Sequence, residues 1–214
     1  TALSLLGPPI TVQAWLARAP AATPAVVIAL VSAAGGGNAS VALLVGPDGS
    51  FSVTVAGASY LAGNASLPIA AVGEWTHVSL AATVDGQLTV TVQSTDVSTS
   101  PSVVVVPGLA LSPPLTVLVA PAQVALPAAL ASHSGAFAGT IDEIRVWHDA
   151  SPALAGSKLV THRLVGNEAN LALYLPLDEL PMVDASPFGA TFPILAPHAA
   201  PSLVVSGAPI ATRV

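Results

Sequence analysis

The 214-residue chain predicts an all-β fold, two antiparallel sheets packed face to face, on three observations. Apolar and polar residues alternate with period two through the first two-thirds of the sequence, the spacing that puts one face of a strand inward. Two Asp-Gly pairs stand between alternating runs, the strongest short-range hairpin signal. Twenty prolines are spread along the chain and disfavour long helices.

The elements follow in order. Ile10 to Leu16 and Val26 to Ser32 read as strands. Val41 to Val45 runs through Pro47-Asp48-Gly49 into Phe51, Val53 and Val55, a first hairpin. From Thr76, the apolar Val78, Leu80, Ala82 and Val84 alternate with His77, Ser79, Ala81 and Thr83. Asp85-Gly86 follows, and Leu88, Val90 and Val92 return as a second hairpin, in which both turn positions can take positive φ. Further strands are expected over Val103 to Val106, Leu115 to Val119, Thr140 to Trp147 and Leu171 to Leu177. Ser151 to Leu164 is the one segment with helical signals: Ser151 as N-cap, Pro152 in the first turn and Gly166 as a stop. Gly35 to Gly37 lacks the lysine of a phosphate loop and reads as a turn. One domain over residues 1–214 accommodates this pattern, because a chain of this length buries about 70% of its unfolded surface around one core.

Composition excludes several functions. Five basic residues supply no phosphate-binding patch, so nucleic acid is not expected as a partner. The mean hydropathy of +0.76 invites a membrane reading. The most apolar region, Leu109 to Ala131, is nevertheless cut by Pro113, Pro114, Pro121, Gln123 and Pro127, and no unbroken apolar run reaches the roughly 18 residues of a spanning helix. The sequence does not open on a Met-led basic segment with an apolar stretch, so any signal peptide is expected to have been removed or to lie outside it, and Thr1 reads as a processed or trimmed start. The absence of cysteine excludes disulfides and thiolate chemistry.

Charged residues are 7% of the chain against about 25% in ordinary domains. Residues 97–141 carry no charge at all, whereas eleven of the sixteen charges lie from Asp142 onward. So long an uncharged stretch, rich in Val, Leu, Ala and Pro, is more than one domain buries internally, and interface cores are depleted of charge in the same way. Other chains or copies of itself are therefore expected on the uncharged side.

Four stretches carry a family resemblance and come in the family's order. They are TVQAWLARAP (11–20), GEWTHVSLAATVDGQLTV (73–90), GTIDEIRVW (139–147) and VGNEANLALYLPLDEL (165–180). Together they resemble the laminin-G-like jelly rolls of the concanavalin A-like lectin and glucanase superfamily. Trp15, Trp75, His77, Asp142, Glu143, Arg145 and Trp147 are the residues that mark that fold. After the second hairpin the chain departs from the pattern, reading VTVQSTDVS. The resemblance implies a concanavalin A-like jelly roll acting as a non-catalytic extracellular recognition or adhesion module for a carbohydrate or protein ligand. The chemistry of the surface supports an alternative, a structural subunit that self-assembles into a fibre, sheath or coat.

Related glucanases place two carboxylates on alternate positions of one strand, about 5 Å apart. Asp142 and Glu143 are consecutive instead, so strand alternation points them to opposite faces, with Glu143 on the face of Arg145 and Trp147. Pairing of Glu143 with Arg145 or a neighbouring strand, and of Asp142 with backbone N–H groups at a sheet edge, is expected; catalysis is not.

Calcium needs six to eight oxygens, several from carboxylates. The loop that would supply a pentraxin-type site reads APAQVALPAAL and holds none. No metal or other cofactor is expected, and Asp142, Asp149 and Asp178 are the carboxylates left for a single structural calcium ion. The histidines, His77, His133, His148, His162 and His198, are scattered without zinc spacing. The three tryptophans sit among apolar residues and are expected to pack in the core, which leaves Tyr60 as the aromatic candidate for ligand contact. Asn38-Ala-Ser40 and Asn64-Ala-Ser66 match the glycosylation sequon and, if used, place the protein in a eukaryotic secretory route.

Overall fold

The computed structural model describes residues 2–5, 7–32, 40–55, 58–60, 70–94, 101–108, 111–119, 130, 137–150, 162–177 and 184–186. Among these residues twelve strands are defined: β1 (Ala2–Leu5), β2 (Ile10–Arg18), β3 (Ala25–Ser32), β4 (Ser40–Val45), β5 (Phe51–Val55), β6 (Ala58–Tyr60), β7 (Trp75–Ala82), β8 (Leu88–Ser94), β9 (Ser102–Val106), β10 (Leu115–Val119), β11 (Gly139–Trp147) and β12 (Leu171–Leu175). They form two six-stranded sheets, β1-β10-β3-β4-β5-β6 and β12-β11-β2-β7-β8-β9. Every pairing is antiparallel. This is the expected two-sheet jelly roll.

Alternation explains the core. Ile10, Val12, Ala14 and Leu16 of β2, with Val78 and Leu80 of β7 and Val90 and Val92 of β8, meet Leu30 of β3, Leu43 of β4 and Val117 of β10 between the sheets. The outward-facing rows are buried as well. Val26, Ala29, Ala42, Leu44 and Leu118 form a second apolar cluster on the outside of the first sheet, closed by Leu130. Among the strands whose burial is described, β9 alone separates buried from exposed residues by alternation: Val104 and Val106 are buried, Val103 and Val105 exposed.

The two Asp-Gly hairpins share one design. Gly46 N donates to Ser50 O (2.7 Å) and Gly49 N to Gly46 O (2.9 Å); Thr83 N donates to Gln87 O (2.9 Å) and Gly86 N to Thr83 O (3.2 Å). Within each Asp-Gly pair only the glycine has positive φ, +88° at Gly49 and +80° at Gly86. The expectation that both turn positions take positive φ is thereby corrected: these are three-residue loops in which a left-handed glycine follows an ordinary turn.

At the Gly49 end the sheets are joined by Arg18, the buried last residue of β2. Its Nε donates to Ala70 O and its Nη1 to Pro47 O (3.1 Å).

Two strands lack a clear sequence signal, β1 and β6, and β12 stops at Leu175, two residues before the positive φ of Leu177. Of the expected helix, 151–161 lies outside the described residues, and 162–164 is not helical: His162 makes an isolated bridge, and Arg163 and Leu164 are irregular. Arg145 Nη2 donates to His162 O (2.8 Å), so that carbonyl is held against β11 instead of entering a helical turn.

Candidate functional site

The charge cluster of GTIDEIRVW is assembled by a bulge. On β11, Asp142 lies opposite Trp15 and Arg145 opposite Gln13, so three steps on one strand match two on the other. The extra residue is accommodated at Glu143, whose φ of +52° is left-handed. Strict alternation therefore fails here. Asp142 and Arg145, an odd number of residues apart, share the outer face of the second sheet, which corrects the expectation that Asp142 and Glu143 diverge as on a regular strand.

The bulge turns the Glu143 carboxylate into a buried network. Oε2 accepts from Arg145 Nη2 at 2.8 Å and Oε1 from the Tyr174 hydroxyl at 3.0 Å; Arg163 Nε lies 3.6 Å from Oε1 on the half-exposed side. The Arg145 guanidinium sits 5.8 Å from the centre of the Tyr174 ring. Burial raises the Glu143 carboxyl above its usual range, partly offset by Arg145, and burial with the nearby Glu143 charge raises the Tyr174 hydroxyl. Asp142 Oδ1 accepts from Glu143 N at 2.9 Å. Tyr174 N and Ser186 N both donate to Asp184 Oδ1, at 3.0 and 2.8 Å. Glu143 and Asp184 thus tie separate segments to Tyr174 of β12.

Trp15 and Trp147 are buried on this outer face rather than between the sheets, while Trp75 is partly exposed at the start of β7. The His77 ring meets Trp15 edge-on, centroids 5.3 Å apart and planes at 64°. His77 Nδ1 has no hydrogen-bond partner among the described residues, and burial pulls its pKa down to about 3, so the ring is neutral. Trp147 Nε1 donates to Gln13 Oε1 at 3.1 Å.

Other candidates separate. His148 and His162 are exposed, and the Asp149 carbonyl accepts from Thr11 Oγ1. No group of three or more His, Asp or Glu is gathered among the described residues. The Tyr60 backbone closes β6, and nothing is described of its side chain. Asn38, Asn64, Asp178, His133 and His198 lie outside the described residues.

A recess missed by sequence reasoning lies at the end of the sandwich opposite Arg18. There the β7–β8 turn, the Gly7–Pro9 segment and the residues before β10 converge. One hollow of about 580 Å³ is lined by Gly7, Pro8, Pro9, Val84, Leu111, Pro113 and His148. A second, of about 320 Å³, lies beside Thr83 to Gly86 and shares Val84 and Leu111. The Pro8-Pro9 and Pro113-Pro114 peptides are both cis. Proline has no N–H to offer, so the first hollow is apolar and poor in donors, with His148 at its edge, whereas the second is lined by the polar Thr83, Asp85 and Ser112. The available signal was Val84, an apolar residue at a turn tip, which is 78% exposed.

A lectin-type sandwich whose charged strand serves structure is thus the class the geometry defines. The sequence model of the laminin-G-like group within the concanavalin A-like lectin and glucanase superfamily matches residues 2–153, and the chain belongs to that family. No curated protein sequence matches significantly. Among solved structures, tailspike protein 2 of an Escherichia coli O157:H7 bacteriophage is similar at TM-score 0.56 and 18% identity over 83% of this chain and 25% of the tailspike. A Bacteroides ovatus protein inferred to bind carbohydrate is similar at 0.55 and 15%, over 86% of this chain and 50% of that one. A native heptameric pentraxin of Limulus polyphemus is similar at 0.50 and 16%, over 72% and 71%. At these identities the likeness establishes the fold. This chain spans half of the Bacteroides protein and a quarter of the tailspike. No helix among the described residues is long and apolar enough to cross a membrane.

Proposed function

We propose that the chain is a non-catalytic extracellular recognition module that takes an apolar segment of a protein ligand in the groove between Pro8, Pro9, Val84, Leu111 and Pro113. The observation that carries this reading is the groove itself: an open, proline-walled recess with Val84 exposed at its lip. A sugar needs several directed hydrogen bonds, and these walls offer few; an aliphatic or proline-bearing segment needs contact area, which they supply. The non-catalytic reading is supported by Glu143, whose oxygens are already bonded to Arg145 and Tyr174. No cofactor enters it; a structural calcium ion at Asp142, Asp149 or Asp178 would leave the groove unchanged. The pairing of β12 with β11 supports treating 1–214 as one domain. Placement outside the cell is supported by the sequons at Asn38 and Asn64, and is tested by glycosidase sensitivity after secretion from eukaryotic cells.

Panning a displayed heptapeptide library, beside an immobilised glycan panel, tests the groove. Apolar peptides enriched by the wild type and lost with V84E/L111E support it. Equal enrichment on both proteins, or glycan binding unaffected by the substitutions, overturns it.

A second reading, a structural subunit assembling through the charge-poor surface, is favoured by one observation: Val103 and Val105 are exposed on an edge strand inside the uncharged stretch 97–141.

A further inference from the structure

Four strands close the sheets, and three of them are guarded. β1 and β6 are four and three residues long. The open side of β12 is taken up by Asp184–Ser186, with Tyr174 N donating to Asp184 Oδ1 and Ala185 N to Tyr174 O (2.8 Å). β9 differs. Its five residues pair with β8 from Ser102 to Val106, and among the described residues no strand pairs with its other side. Proteins blunt such edges with charge, a bulge or a covering segment, because a row of unpaired N–H and C=O groups templates another strand. Ser-Val-Val-Val-Val has no charge, its register with β8 is unbroken, and proline stands only outside its ends, at 101 and 107.

We propose that β9 pairs antiparallel with β9 of a second copy about a two-fold axis through Val104, joining two second sheets into one twelve-stranded sheet. The proposal deepens the assembly reading and rests on it. The occupant is a second copy because the strand is self-complementary under this rotation. Val103 of each copy falls opposite Val105 of the other on the outer face, and Val104 opposite Val104 on the core face. Directly opposed residues bring their Cβ atoms to about 4.5–5.5 Å, so the two exposed valines of each copy, 47% and 50% accessible, become cross-strand pairs. No like charge meets across the axis, since residues 97–141 contain none. The interface is isologous and closes at two copies.

Sedimentation velocity over a concentration series is the test, with V103K/V105K as the variant. Both side chains face solvent, so that variant should keep the wild-type circular dichroism and, at dilutions where both proteins are monomeric, the wild-type melting temperature. The wild type should sediment as a dimer of the 21.1 kDa chain, and like charges opposed across the axis should weaken association at least about tenfold. The cysteine-free background then reads the register: oxidising a mixture of V103C and V105C should give more cross-linked dimer than either variant alone. A wild type that stays monomeric overturns both this pairing and the assembly reading. Association undiminished in V103K/V105K overturns the pairing and leaves assembly through another face. Cross-linking of V103C to itself in preference to V105C overturns the antiparallel register.

Discussion

Glu143 and Arg145, two residues apart on β11, form an ion pair with both side chains 1% exposed and 2.8 Å between Oε2 and Nη2. The pair exists because the backbone at Glu143 is left-handed, a conformation that bulky L-residues rarely adopt and that surrounding contacts must hold. Tyr174, from the neighbouring strand, completes the hold through Oε1.

Removing one partner should therefore cost more than removing both charges. Arg145→Met leaves the buried carboxylate with only the half-exposed Arg163 beside it, 3.6 Å away, and should destabilise the chain by about 3 kcal/mol. Glu143→Gln in the Arg145→Met background should restore part of that loss, because neither residue then carries a buried charge. Urea unfolding of the two variants and the wild type checks the order; a double variant no more stable than Arg145→Met would contradict it.

His77 should make the chain sensitive to acid. Its folded pKa, about 3, lies below the ordinary 6.5, so the unfolded chain binds the proton more readily. Its contribution is fully present above pH 6.5 and is lost as pH falls toward 3, by up to about 1.4 kcal/mol per pH unit. Glu143 works in the opposite sense. Its folded pKa is raised above 4.5, so stability is gained as pH falls through that raised value toward 4.5. Unfolding free energies measured from pH 8 to pH 3 should decline less steeply in His77→Gln and more steeply in Glu143→Gln than in the wild type.

Two glycines with nearly the same backbone should respond differently to alanine. Gly49 has φ +88° and Gly73 φ +77°. A Cβ at Gly49 would collide with Ala70 O and lie 2.8 Å from Arg18 Nε, whereas one at Gly73 meets nothing within 4 Å. Gly73→Ala should cost about 1 kcal/mol of conformational strain, and Gly49→Ala at least about 2 kcal/mol more by displacing the Arg18 contacts. Thermal unfolding of both variants measures the difference.

The sandwich was legible because alternation survives along β2, β7 and β8, and each Asp-Gly pair stands where a turn is needed. β1 was not, since Ala2–Leu5 is too short to establish a period, and β6 is shorter still. The outward row of Thr11, Gln13, Ser79 and Thr91 has the polarity of a solvated face, yet all four are buried. Local pattern cannot report what covers a face. Nor could it report the bulge: no Gly or Pro marks residue 143, and Glu143 finds Tyr174 only because β12 lies beside β11. The groove is less legible still. Its walls come from residues 7–9, 84, 111–113 and 148, and no two of those segments are neighbours in sequence.

Arg18 supplies the last test, of how the two sheets are held at one end. Its Nε bonds to Ala70 O and its Nη1 to Pro47 O, while Ala70 N donates to Gly49 O at 3.0 Å. One side chain of the second sheet thus fastens the β4–β5 turn of the first. Its planar fork reaches two carbonyls at once, and a lysine offers a single point of attachment. Arg18→Lys should lose one charged hydrogen bond, about 1.5–3 kcal/mol, without unfolding the sandwich. The loss should be local. Hydrogen exchange should quicken at the Gly49 and Ala70 amides, which close the turn, and stay unchanged at the Thr83 and Gly86 amides of the matching turn at the far end. Equal acceleration at both turns would mean that Arg18 acts on the stability of the whole chain and not as a clasp.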